Sequence, residues 1–177
     1  MSQASKQVNW CLKKAEKEIE ECKRLGKRPK HRGLLKTSFN KEESESHLKK
    51  AEENLEFAVF LKPEEYGYKV IESLFYSMYH CFLAIASKFG YESGNQTCTI
   101  FLIEYLKEEG KINIEDKFID IMKYKDEQKN PDNFSIIDMR EDYTYSAKIS
   151  VEKEKIDKLE DLTKELIHQT KEIIYSK

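Results

Sequence analysis

Tyr76 and His80 lie four residues apart in the apolar segment that begins at Tyr68. If that segment is helical, the two side chains share one face. An imidazole can transfer a proton near neutral pH, because its ordinary pKa is about 6.5. A histidine on a mostly apolar helix is nevertheless more often a hydrogen-bonded core residue than a catalyst. His80 is therefore a candidate site residue whose alternative is a structural role.

A second chemical pattern is the i, i+3 pair of Glu165 and His168, the spacing used by carboxylate-bridged di-iron bundles. That chemistry requires a second Glu-x-x-His pair and two more inward-facing glutamates, and the chain has no second pair. The sequence also lacks a Gly-rich phosphate loop, a Gly-x-Ser-x-Gly element and a His-Glu-x-x-His motif. We therefore expect neither a metal nor a cofactor.

The four cysteines, Cys11, Cys22, Cys81 and Cys98, form no Cys-x-x-Cys pair and no zinc-ligand spacing. In a chain of this length with its own core, a disulfide framework is not expected. We expect Cys81 and Cys98 to behave as small buried hydrophobic residues. No secretory signal pattern opens the sequence, so the reducing cytoplasm is the expected compartment.

A strongly basic segment occupies residues 23–41, which contain eight Lys or Arg and no acidic residue. The whole chain has a net charge of −2, so the remainder is strongly acidic. A basic segment on an acidic body attracts phosphates locally. The candidate nucleic-acid patch is Lys27, Arg28, Lys30 and Arg32, and the alternative is a solvated linker.

The elements that carry these residues are predicted to be helices, because the 177 residues contain only 6 Gly and 3 Pro and little strand-like alternation. Asn40 is a predicted N-cap, with Glu43 in the capping-box position, and Gly26, Gly90 and Gly110 are predicted helix ends. The predicted helices cover residues 8–25, 41–62, 64–89, 97–108, 114–125 and 151–175. Residues 26–39 and 125–133 are predicted loops, and 134–150 is the least regular apolar segment.

The predicted helix 64–89 is apolar on nearly every side, which is typical of the centre of a bundle. Its length approaches that of a membrane span, but Lys69, Glu72, His80 and Lys88 interrupt it, so we predict a core helix and no membrane span. Trp10 and Val59 are predicted to face the core from the first two helices. Residues 91–96 are predicted to form a structured turn in which Ser93 or Asn95 caps the next helix.

Several of these features together resemble the HEPN superfamily of prokaryotic helical domains. They are the Phe-Tyr-x-Met-Tyr-His run 75–80, the Gly-Tyr-Glu-Ser turn 90–93, the Lys-His-Arg-Gly-Leu run 30–34 and the Arg-Glu-Asp-Tyr run 140–143. The chain is most similar to a branch of small stand-alone HEPN proteins. The resemblance implies an all-α, up-and-down helical bundle at residues 41–177, with an additional N-terminal helix and basic connecting loop at residues 1–40.

For chemistry, the resemblance implies a ribonuclease motif of an Arg, a polar residue, three to five further residues and then a His. Arg140 occupies the Arg position, but residues 141–146 contain no His, and Tyr145 stands at the fifth position after Arg140. A tyrosine with a pKa near 10 is a poor base at neutral pH. Efficient ribonuclease activity is therefore not expected, and Arg140, Tyr145 and His80 remain the catalytic candidates.

The same resemblance implies a binding cluster in which Tyr76, His80, Arg140, Tyr143 and Tyr145 converge. Such a cluster suits phosphate or base recognition through the guanidinium and aromatic stacking.

Tyr91 and Asn95 would form a polar rim to that cluster, as the alternative to a purely structural turn. The expected function is RNA or nucleotide binding without efficient catalysis, in a toxin–antitoxin-like or defence system. A degenerate metal-independent endoribonuclease and a structural dimer or protein-interaction module are the alternatives. A homodimer and a small nucleotidyltransferase are the implied protein partners.

Overall fold

The computed structural model describes residues 2–64, 66–124, 135–146 and 151–176. Within them the chain forms seven α-helices, one two-stranded ribbon and a 3₁₀ turn at Lys62–Glu64. In chain order the elements are α1 (Gln3–Arg24), β1 (Leu34–Lys36), α2 (Lys41–Leu61), α3 (Gly67–Lys88), β2 (Tyr91–Ser93), α4 (Gln96–Glu108), α5 (Asp116–Ile121), α6 (Ile136–Tyr145) and α7 (Lys153–Tyr175). The predicted all-α helical bundle is confirmed. The predicted loop 125–133 lies outside the described residues.

Helix α3 is the centre of the bundle, as its apolar composition predicts. Leu74, Met78, Phe82 and Ile85 are completely buried, and α3 packs against α2, α4, α6, α7 and β2. By length and composition α3 also qualifies as a membrane span, with a mean hydropathy of 1.3. Because 72% of that window is buried inside the fold, α3 is a core helix of this bundle.

Helices α2 and α3 are antiparallel, and two buried serines fix their register. Ser44 on α2 donates to the carbonyl oxygen of Ala84 at 2.8 Å. Ser77 on α3 donates to the carbonyl oxygen of Ala51 at 2.6 Å. Each hydroxyl bonds a helix carbonyl of the neighbouring element, so sliding one helix along the other would leave a buried donor without its acceptor.

Helix α7 packs against both α2 and α3 and runs antiparallel to α2. At one end, Lys62 forms an ion pair with Glu160 at 2.6 Å, and at the other, Lys171 forms one with Glu52 at 2.6 Å. The buried face of α7 includes Leu159, Leu166 and Ile173, at the spacing expected of a helical stripe.

The helix ends follow the predicted signals closely. The side chain of Asn40 accepts a hydrogen bond from the backbone of Glu43 at 3.1 Å, as expected of an N-cap. Gly90 follows α3 with φ +72°, and Gly110 follows α4 with φ +66°, a region that favours glycine. Asn95 caps α4 through the amide of Cys98 at 3.0 Å.

The predicted loop 26–39 was wrong in part, and the predicted turn 91–96 was right about the Asn95 cap but missed a strand, because parts of both segments form a β-ribbon. Strands β1 and β2 pair antiparallel, with Leu34 opposite Ser93 and Lys36 opposite Tyr91. Three-residue strands are too short to show the alternation by which strands are recognised in a sequence. Gly94 allows this close approach, since a Cβ there would lie 2.4 Å from the carbonyl oxygen of His31.

Two burial predictions were also wrong. Trp10 is 56% exposed, and Val59 is exposed as well. The buried face of α1 consists of Ala4, Val8, Cys11 and Ala15. Small residues let α1 approach α4 closely, and the larger indole lies on the outer side.

The expectation that Cys98 is a free buried cysteine was wrong. Cys98 on α4 forms a disulfide with Cys11 on α1, across a sequence separation of 87 residues. Cys81 is free and fully buried, as predicted, and burial raises the pKa of its thiol to about 12. The bridge therefore joins the N-terminal helix covalently to the bundle, while Cys81 stays a chemically quiet core residue.

The central position of α3 predicts the effect of truncating its core side chains. Phe82→Ala should lower the free energy of unfolding by about 3–5 kcal/mol through lost burial and the cavity left behind. Phe60→Ala is the matched control, because that phenyl ring on α2 is 71% exposed whereas Phe82 is fully buried. Urea denaturation of both variants checks this, and equal losses at the two positions would contradict the assignment of α3 as the core.

Candidate functional site

The predicted candidate His80 lies beside a second histidine, His47 on α2. Their Nδ1 atoms are 3.1 Å apart, and the two rings stack with centroids separated by 5.2 Å. One Nδ1 must carry a proton and the other must accept it, so a hydrogen bond of this kind requires at least one neutral imidazole. Both rings are partly exposed to solvent.

The environment of this histidine pair favours neutral rings. Burial, followed by the proximity of His80 and Lys50, lowers the pKa of His47 to about 4. Burial and Lys50 also lower the pKa of His80. At neutral pH the pair therefore offers hydrogen-bonding nitrogen atoms beside the ammonium group of Lys50.

Arg140 on α6 lies against the aromatic side of α3. Its guanidinium carbon is 4.4 Å from the centroid of the Phe75 ring, and one of its nitrogens is 3.3 Å from a carboxylate oxygen of Glu141. The same carboxylate oxygen accepts a hydrogen bond from the Tyr124 hydroxyl at 2.8 Å. The guanidinium over the ring is a cation–π contact, and 21% of the Arg140 side chain remains exposed.

Tyr76 links these two regions on the surface of α3. Successive helical residues differ by about 100°, so Tyr76 lies midway between Phe75, which faces α6, and Ser77, which faces α2. The Tyr76 ring touches the Phe75 ring edge-on, with centroids 5.2 Å apart, and it is exposed. His80 follows one turn later.

We call the surface made by Lys50, Tyr76, His80, His47 and Arg140 the α3 face. Tyr76 and His80 lie one turn apart on this side of α3. Arg140 approaches it from α6 over the buried Phe75 ring, which stacks on the Tyr79 ring with centroids 6.0 Å apart. The arrangement offers a cation, aromatic surfaces and imidazole nitrogens to a ligand, the functional groups that bind phosphates and bases.

The remaining predicted site residues have separate positions. Tyr143, one turn after Arg140 on α6, is partly exposed, and Tyr145 at the end of α6 is 85% exposed. Tyr91 lies in β2 opposite Lys36, and the side-chain oxygen of Asn95 caps α4. Asn95 thus has the structural role that the sequence left as one alternative.

The basic segment, residues 23–41, is here called the basic arm. All eight of its Lys and Arg residues are exposed. The arm begins at the end of α1, passes through β1 and reaches the first residue of α2. Within the described residues, the side chains of Lys27, Arg28, Lys30 and Arg32 form no ion pair, so the candidate patch presents four uncompensated charges to solvent.

The pocket and the acidic groups elsewhere on the described surface offer fewer free groups for binding a ligand. A pocket of about 230 Å³ lies where α2 begins and α3 and α7 end, near Phe39 and Tyr175. Of its two lysines, Lys41 pairs with Glu45 and Lys88 donates to the carbonyl oxygen of Ser176. Among the described residues, no group of three His, Cys, Asp or Glu side chains is placed to hold a metal ion.

Comparison with known proteins gives no family for this chain. No protein-family model matches it, and no curated protein is significantly similar to it. The assignment of a function therefore depends on the geometry of the α3 face and the basic arm.

Sequence reasoning missed His47 and Lys50, which complete the α3 face. Both lie on α2, and they approach His80 only because the serine hydrogen bonds set the register of α2 against α3. One signal was present in the sequence: His47 and Lys50 are three residues apart and thus share a face of the predicted second helix.

The histidine pair predicts a pH dependence of stability. The pKa of His47 is lower in the folded protein than in the unfolded chain, so the unfolded chain binds more protons between about pH 6.5 and pH 4. The free energy of unfolding should therefore fall as the pH drops through that window, by about 1–2 kcal/mol after allowance for the exposure of the ring. Urea denaturation at several pH values measures this.

A matched pair of variants isolates the effect. His47→Gln should flatten the pH dependence between pH 6.5 and 4, whereas His168→Gln should leave it unchanged, because His168 is 74% exposed. NMR titration of the ring protons of His47 and His80 measures the pKa values of these two histidines directly. An ordinary pKa near 6.5 for His47 would show that the pair does not form.

Proposed function

We propose that this protein binds RNA or nucleotides without efficient cleavage, through the α3 face and the basic arm. The observation that carries the proposal is the position of Arg140, stacked on Phe75 beside the exposed ring of Tyr76. A base can stack on an exposed tyrosine while a neighbouring guanidinium binds the adjoining phosphate.

The charge distribution supports the same proposal. The body of the chain is acidic and would repel a polyanion, yet the exposed arm carries eight of the 31 Lys and Arg residues and no acidic residue. Electrostatic attraction by such an arm is independent of sequence and increases association with any single-stranded nucleic acid. The α3 face would then add base stacking to this general attraction.

The binding role is favoured over catalysis by the contacts of the candidate groups. The guanidinium of Arg140 lies over Phe75 and pairs with Glu141, whereas the imidazole of His80 pairs with His47. General acid–base catalysis requires the proton-transferring group within hydrogen-bond reach of the reacting atom. Tyr145, at the position where the ribonuclease motif places its histidine, is largely exposed at the end of α6.

The resemblance to HEPN proteins adds partners and a cellular role to the proposal. We include a homodimer, a small nucleotidyltransferase partner and a role in a toxin–antitoxin-like or defence system, because the resemblance implies them. The compartment in the proposal is the cytoplasm, where RNA and nucleotides are available as ligands.

Arg140 provides the most direct test of this function. Binding of a fluorescently labelled, 15-nucleotide single-stranded RNA is measured by anisotropy at low salt. Arg140→Ala should weaken binding about tenfold, and Arg140→Lys should recover only part of the loss, because a bidentate fork becomes a point charge. Lys107→Ala is the control, since Lys107 lies on α4 in an ion pair with Asp116.

The same assay distinguishes the alternatives. Wild-type protein should leave the RNA intact, and Tyr145→His, which restores an imidazole near Arg140 in the sequence, tests for a disabled nuclease. RNA cleavage by the wild-type protein would contradict the binding proposal and show that the protein is an endoribonuclease. No detectable RNA or mononucleotide binding by the folded wild type would leave only a structural or protein-interaction role.

The basic arm makes a separate prediction about salt. Replacing Lys27, Arg28, Lys30 and Arg32 by Gln should weaken RNA binding and also flatten its salt dependence. Each phosphate contact with a single strand contributes about 0.7 to the slope of log K against log salt. The charge-matched control replaces four exposed lysines of the bundle, Lys49, Lys111, Lys153 and Lys164. Equal effects of the two sets would mean that the arm has no special role.

A further inference from the structure

Helix α1 is attached to the bundle mainly through small buried residues, with the larger Leu12 half-buried against the core. It packs mainly against α4 and β1, and its fully buried residues are Ala4, Val8, Cys11 and Ala15. Alanine and cysteine bury little area each, and burial is the main source of helix docking energy. In contrast, the central helix α3 buries phenylalanine, leucine, isoleucine and methionine side chains on nearly all sides.

The Cys11–Cys98 disulfide lies in the middle of this small contact. Both residues are only 1% exposed, and Cys11 lies between the two buried residues Val8 and Ala15 on the same helix face. The covalent bond therefore contributes much of what holds α1 in place. The tight packing of Gly33, where a Cβ would lie 2.3 Å from the carbonyl oxygen of Cys11, extends the contact from α1 to the basic arm.

The bridge is shielded from solvent in the closed state. Cys11 and Cys98 are each 1% exposed, so a reductant reaches either sulfur only when α1 opens locally.

The bonds beyond the disulfide divide into two groups. Strand β1 stays tied to the bundle through β2, and the ties include a hydrogen bond from the Gly94 amide to the Gly33 carbonyl oxygen at 2.9 Å. The arm also contacts α1: Glu18 accepts from the Arg32 amide, the Cys22 thiol donates to the Lys30 carbonyl oxygen, and Gly33 packs against Cys11 and Ala15. After loss of the disulfide, α1 is held only by these contacts and by its buried face, whereas backbone hydrogen bonds still pair β1 with β2.

We propose that the Cys11–Cys98 disulfide is a redox latch that controls the docking of α1 and of the basic residues that follow it. A cellular dithiol reductant opens the latch. Its thiolate attacks one sulfur of the bridge, the second thiol resolves the mixed disulfide, and two protein thiols and an oxidised reductant result. Oxidation by a disulfide donor closes the latch through the reverse exchange.

The test of the latch does not require RNA binding, because it measures the docking of α1 and uses no ligand. It also fits the proposed compartment, since disulfides of cytosolic proteins are usually transient or redox-sensing. The bundle formed by α2, α3 and α7 includes neither cysteine of the bridge and should stay folded when the latch opens.

Hydrogen–deuterium exchange of the full chain, read by peptide, tests the latch. Oxidised wild type is compared with wild type treated with dithiothreitol, and thiol alkylation confirms the redox state of Cys11 and Cys98. Reduction should accelerate amide exchange in α1 by at least about tenfold, whereas α3 keeps its protection. The double variant Cys11→Ser/Cys98→Ser should behave like reduced wild type without any reductant, and Cys22→Ser should behave like oxidised wild type.

Three results would overturn the proposal. Unchanged protection of α1 after complete reduction would show that packing alone holds the helix. Simultaneous loss of protection in α1 and α3 would show that the bridge staples the whole fold. A bridge that stays oxidised in the folded protein at millimolar dithiothreitol would show a structural disulfide that no cellular dithiol opens.

Discussion

The burial of α3 is the constraint on which the rest of the structure depends. A 22-residue helix that is apolar on nearly all sides must be surrounded, and α2, α4, α6 and α7 surround it. Its few polar positions then acquire defined places. Ser77 meets a carbonyl oxygen of α2, and Tyr76 and His80 fall on the strip that the neighbouring helices leave open. The candidate site is a consequence of how the core is covered.

The N-terminal part of the chain is held by different physical means. Helix α1 adds little to the core, and its attachment combines small side chains, a short β-ribbon and one disulfide. A weakly docked element that carries many charges responds to its environment more readily than a buried helix does. The charges proposed to attract nucleic acid thus lie on the segment that follows α1. This segment is separate from the α3 face.

Local signals in the sequence predicted six of the seven helices of the described residues and many of their ends, but α6 lies in the segment predicted to be the least regular. Asn40 caps a helix, and Gly90 and Gly110 end helices, through their own conformation or contacts with residues close in sequence. Their effects can therefore be recognised without tertiary information. The apolar pattern of α3 likewise predicted its burial. What could not be predicted depends on contacts between distant segments.

Three examples show this dependence. The pairing of His47 with His80 requires the register of α2 against α3, and the Cys11–Cys98 bridge joins residues 87 positions apart. The β-ribbon joins two segments that are each only three residues long. Trp10 was placed on the wrong side because the contact of α1 with α4 selects small residues, a choice that the sequence of α1 alone does not reveal.

The most direct measurement of the central claim maps where RNA contacts the folded protein. A single-stranded RNA that contains 4-thiouridine is photocrosslinked to the full-length chain at low salt, and the modified peptides are identified by mass spectrometry. The account predicts crosslinks in the α3 peptide that contains Tyr76 and in the α6 peptide that contains Arg140. Crosslinks confined to α5 or α7, or none at all in a folded protein, would contradict it.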